Sequence, residues 1–131
     1  MSECQIDVRY VGPGIENDVA IITFEGDIET LPGNQRGVID APSQTTIFLH
    51  CHGASFVAEK PLVWISHEGQ QPPHIEVLMG GPEEVKLLVG EVKEKEVAKF
   101  VVNLDTEDGA LTSKDPTIVT DPVVLPPVRE G

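Results

Sequence analysis

The residues best able to do chemistry in this chain are its four histidines, His50, His52, His67 and His74. His50 and His52 stand two apart on either side of Cys51, where the run Thr45 to Cys51 ends. On an extended strand, residues i and i+2 project from one face with their Cα atoms roughly 6.5 to 7 Å apart. Two imidazoles at that separation can converge on one zinc, copper or nickel ion at about 2.0 to 2.3 Å, provided that further donors join them. His67 and His74 are the completing ligands the sequence offers, and a divalent transition metal is the cofactor this reading implies. The competing reading comes from the same alternation. It puts Ile47, Leu49 and Cys51 on a core face and Thr46, Phe48, His50 and His52 on the solvent face. There the histidines are ordinary surface groups, and Phe48 beside them could contribute to an interface.

Other chemistries find less support. Cys51 lies between the two histidines in sequence, but adjacent strand residues point to opposite faces, so thiolate and imidazoles cannot readily gather round one copper ion. Asp105, Glu107, Asp108 and Asp115 supply the oxygens calcium prefers, but Gly109 follows Asp105 too early for an EF-hand loop, and a solvated turn is the expectation. Gly12-Pro13-Gly14 and Met79-Gly80-Gly81-Pro82 lack the glycine and lysine spacing that cradles phosphate, and they read as turns. Neither a Gly-x-Ser-x-Gly elbow nor a catalytic cysteine signature is present, so no catalytic residue is nominated.

Composition narrows the partners. The chain has 131 residues with 22 acidic and 9 basic side chains, a formal charge of -13. Such a charge repels nucleic acid and anionic membrane surfaces. Six aromatic residues leave little for a base-stacking platform. No run approaches the ~20 apolar residues of a membrane span. The opening Met-Ser-Glu-Cys-Gln lacks the basic and apolar regions of a secretory signal, so a cytoplasmic protein is expected. Cys4 and Cys51 then read as reduced core thiols. Protein, a second copy or another chain, is the partner class left.

The elements that must position these residues are strands. Eleven prolines and twelve glycines cut the chain into short runs that alternate in polarity or cluster in apolar fours and fives. Cys4, Ile6, Val8 and Tyr10 share one face of the first run. Val19 to Phe24, apolar on both faces, reads as a strand central to a sandwich. Residues 25–43 form the longest irregular segment, with a short strand near Val38-Ile39, and are expected to cover a sheet edge. Thr45 to Cys51, Ala54 to Ala58, Pro61 to His67 and His74 to Met79 read as four strands, with Trp64 a core anchor. From Pro82 to Leu104 helical spacing competes with strand composition. Gly90 and the β-branched content favour strands at Val85 to Val89 and Lys99 to Leu104, joined by Lys93-Glu94-Lys95-Glu96. Asp105 to Gly109 is a turn. The final strand, Pro116 to Leu125, carries two prolines and is expected at an edge.

Eight or nine such strands predict one all-β domain over 1–125, an antiparallel β-sandwich of immunoglobulin-like outline, with a small β-barrel as the second choice. Residues 126–131 read as an extended tail. Phe100-Val101-Val102-Asn103-Leu104, a polar turn, and Asp115-Pro116-Thr117-Ile118-Val119 resemble the closing strands of small bacterial β-sandwich proteins of the DP-EP family. The likeness covers about a quarter of the chain. Asp-Pro occurs twice here and Glu-Pro not at all. The resemblance implies a fold and a bacterial source, and carries no activity. His50-Cys51-His52 likewise resembles the His-x-His of cupins, which would make Glu59 a third ligand, although six residues separate it from His52 and no second motif follows. The function expected is a noncatalytic interaction or structural module that self-associates; a histidine-based, cupin-like metalloprotein is the alternative.

Overall fold

The computed structural model describes residues 2–13, 20–33 and 35–122. Among them are twelve strands and one 3-10 turn. In chain order these are β1 (Ser2–Pro13), β2 (Ala20–Gly26), β3 (Glu29–Thr30), β4 (Gly37–Asp40), β5 (Thr45–His52), β6 (Ser55–Phe56) and β7 (Leu62–Trp64). The 3-10 turn (His67–Gly69) precedes β8 (Ile75–Gly81), β9 (Glu84–Val89), β10 (Glu96–Thr106), β11 (Gly109–Thr112) and β12 (Thr117–Thr120).

These strands form two sheets. The first runs β2-β1-β5-β9-β8. The second is built around β10, with β6 and β7 along one side and β11 and β12 along the other; β12 passes the sheet on to β4 and β3. Neither sheet closes into a barrel, and the protein is an all-β sandwich. The period-two pattern explains why the sheets face each other. On β5 the odd-numbered residues from Thr45 to Cys51 are buried and the even-numbered ones are not; on β9 Val85, Leu87 and Val89 are buried. Ile6, Val8, Phe24, Ile47, Leu49 and Leu87 from the first sheet join Ile39, Phe56, Phe100, Val102, Leu104 and Ile118 from the second in one core. Trp64 is buried there, its ring 5.8 Å from that of Phe100 and tilted by 57°. A tilted aromatic pair of this kind contributes about 0.5 to 1.5 kcal/mol beyond its area.

Several expectations change. Pairing is not purely antiparallel, because β1 runs parallel to β5 and β12 parallel to β4. The cause is the path of the chain: after β2 it crosses to the other sheet through β3 and β4, then returns to lay β5 beside β1 from the same end. The strand count exceeds eight or nine because glycine and proline leave short pieces, β3 and β6 among them, and because β11 was not expected. The segment over 25–43 supplies β3 and β4 and so extends the edge of the second sheet instead of covering one. β2, expected as a strand central to the sandwich, lies at an edge of the first sheet. β12 lies between β10 and β4, not at an edge, since Pro116 and Pro122 fall just outside it and leave its ladder intact. Val19, residues 123–125 and the expected tail 126–131 lie outside the described residues.

Candidate functional site

The four candidate ligands divide into two pairs. His50 and His52 project from the outer face of the five-stranded sheet, where register sets their neighbours: Asp7 on β1 lies directly beside His50, and Glu84 on β9 lies on its other side. Each imidazole takes its own acceptor. His50 Nε2 donates to Gln5 Oε1 at 2.7 Å, and its Nδ1 faces Glu84 Oε2 at 3.6 Å. His52 Nε2 donates to Asp7 Oδ1 at 2.8 Å. The ladder extends both ways: Arg9 Nε lies 3.3 Å from Glu25 Oε2, the Phe48 ring stacks on His50, and Lys86 Nζ sits 5.5 Å from the centre of the Phe48 ring. Gly53 ends β5 with φ +78, and a Cβ there would lie 3.2 Å from the Tyr10 carbonyl oxygen, so the chain can turn away directly after His52.

His67 and His74 sit in the connection from β7 to β8, with their ring centres 6.3 Å apart. The backbone there is strained: His67 and the following Glu68 both have φ of 56°, a region that costs a non-glycine residue about 1 to 2 kcal/mol. Ser66 pins the turn, its Oγ accepting from the Lys99 N–H at 3.0 Å and lying 2.8 Å from His67 Nδ1. His74 Nε2 is buried and has no hydrogen-bond partner among the described residues. Burial holds the His74 pKa below its usual value; the charge of Glu96 opposes that shift, and His67 adds to it. Beside His74 opens a depression of about 510 Å³ whose rim carries Glu91, Glu94, Glu96 and Lys93.

Among the described residues no three His, Cys, Asp or Glu groups are placed where they could hold a metal ion together. Cys51 faces the core while its neighbours face solvent, as strand alternation requires; burial pushes its pKa up to about 11 and also raises that of Cys4. Both are free thiols. Two of the four acidic residues considered for calcium are drawn into other contacts: Tyr10 Oη donates to Asp108, and Arg36 Nε lies 3.1 Å from Asp115 Oδ1. Sequence reasoning missed Gln5, Asp7, Glu84, Ser66 and Glu96. The polar alternation Gln5, Asp7, Arg9 was visible, but the parallel register that brings it to the histidines was not.

A third feature is the edge at β8. Its residues Leu78 and Met79 are 41% and 39% exposed, and Glu76 is its one charged residue. His74 O accepts from Gly90 N, so in antiparallel alternation the main-chain groups of Val77 and Met79 point away from β9. The edges of the second sheet are broken into strands of two to four residues, and β11 lies against the other edge strand of the first sheet, β2. No protein-family model matches the chain, and no curated protein matches its sequence.

Proposed function

We propose that this chain is a noncatalytic β-sandwich module, immunoglobulin-like in outline, that associates with a second copy of itself through β8. The observation that carries this reading is the main-chain edge of β8, which pairs with no strand beyond β9 among the described residues, beside exposed Leu78 and Met79. Neither proline nor lysine guards it, and those are the residues that usually blunt such edges. Antiparallel pairing of β8 with β8 of a second copy satisfies a two-fold axis and joins two five-stranded sheets into one. Free buried thiols suit a reducing cytoplasm, and the net charge of -13 turns the module away from nucleic acid and anionic membrane.

That charge also opposes self-association, so the dimer should tighten as salt screens it. Sedimentation equilibrium at low and high salt tests this. The expected result is a dimer favoured by salt and weakened at least about tenfold by the double substitution Leu78→Lys, Met79→Lys, which places like charges across the pairing. A strict monomer at all concentrations and salts, or a dimer indifferent to the double substitution, overturns it.

A further inference from the structure

A strand edge can pair with its own copy in several alignments, and the groups along β8 discriminate among them. We infer that the two copies meet with Leu78 on the two-fold axis, so that Leu78 packs on Leu78 of the second copy and Val77 pairs with its Met79. The inference rests on the β8 pairing proposed above and adds to it the residues that select how a second copy is seated.

The main-chain groups of Ile75, Val77 and Met79 point away from β9, because the bond from Gly90 N to His74 O fixes the antiparallel alternation. A two-fold pairing sets these residues opposite one another, so the axis passes beside one residue between Ile75 and Met79. An axis at Ile75 or Val77 requires the Ile75 N–H, which already donates to the Pro72 carbonyl at 3.1 Å. At Val77 it also sets the Glu76 carboxylate against Leu78. An axis at Glu76 places like charges directly opposite, a destabilising arrangement. At Met79 it carries the pairing into the irregularity between Met79 and Gly81. Leu78 on the axis meets none of these obstacles. Val77 and Met79 then pair reciprocally, which satisfies the outward N–H and C=O of both. Leu78, 41% exposed, meets an identical side chain in a non-hydrogen-bonded pair, where side chains approach most closely. Glu76 falls opposite Gly80, whose lack of a side chain leaves the carboxylate in water.

The test is cysteine cross-linking of the full chain, with oxidised glutathione taking up the two electrons and two protons released as each disulfide forms. A non-hydrogen-bonded pair holds its Cα atoms about 4.5 Å apart, within disulfide reach. Leu78→Cys should therefore form a covalent dimer at least about tenfold faster than Glu76→Cys. Both positions are exposed, so neither variant disturbs the core. An equimolar mixture of the two variants should join Leu78→Cys chains to one another and leave unlike chains unjoined. The wild-type chain, with Cys4 and Cys51 only 7% and 5% exposed, sets the background and should stay uncrosslinked. Cross-linking between Glu76→Cys chains, or between unlike chains in the mixture, overturns the alignment and leaves the β8 pairing standing. No cross-link at either position also overturns it. Sedimentation of the same variants under reducing conditions then separates the two failures: a dimer means another alignment, and a monomer removes the β8 pairing as well.

Discussion

The two histidine pairs show what backbone regularity does to a side chain. His50 and His52 sit on an unbroken strand between two others, and the ladder gives each a partner at a fixed position: Gln5 and Asp7 on β1, Glu84 on β9. Satisfied in this way, they are part of the solvated face of a sheet. His67 and His74 sit where the backbone leaves the ladder, through two consecutive left-handed residues, and there one buried nitrogen has no partner among the described residues. Regular structure distributes partners by register, whereas irregular structure concentrates strain and unmet polar groups, which is why functional groups gather in loops.

The contrast can be sharpened by relieving the strain. Glu68→Gly, at an exposed position with φ of 56°, should stabilise the protein by about 1 kcal/mol in urea denaturation, because glycine takes that conformation without penalty. A neutral or negative change would mean that the connection holds no such strain. A smaller effect is expected from pH. Burial lowers the His74 pKa below the ordinary imidazole value of about 6.5, so between those two values the unfolded chain binds the proton that the folded chain refuses. Stability should therefore fall as pH drops through about 6.5 and go on falling until the lower, folded-state pKa is passed. Folded His74→Gln should lose that limb while the His50→Ala, His52→Ala protein keeps it; equal slopes in all three would erase the difference between the pairs. The smallest change belongs to the ladder. Asp7→Asn removes the charge facing His52 in an exposed pair, and its cost should stay below about 1 kcal/mol and shrink with added salt. A loss well above that would show the ladder to be more than a solvated surface.

Much of this architecture was legible in the residues. Ile47, Leu49 and Cys51 against Phe48, His50 and His52 announced both the strand and its two faces, because a period of two leaves only one way to bury an apolar set. Gly90 and the β-branched residues decided correctly against a helix over 82–99, where Val85, Leu87 and Val89 turn inward. Proline misled at the last strand: Pro116 and Pro122 bracket β12 without entering its ladder, and a short strand between two prolines can sit inside a sheet. β11 was missed because Gly109, Ala110, Leu111 and Thr112 carry weak strand preference, and pairing to β10 draws them in.

Residue types and their spacing alone determined an acidic all-strand chain, the side of each strand that turns inward, and the identity of the histidines as the groups worth watching. Those properties are local, since they depend on neighbours one or two positions away. Tertiary structure alone decided that β1 runs parallel to β5 and so sets Gln5 and Asp7 against His50 and His52, that β12 lies inside its sheet, and that His67 and His74 come together across a strained turn. These depend on the order in which strands far apart in sequence pack on a shared core, and the pattern of any single strand is compatible with several such orders.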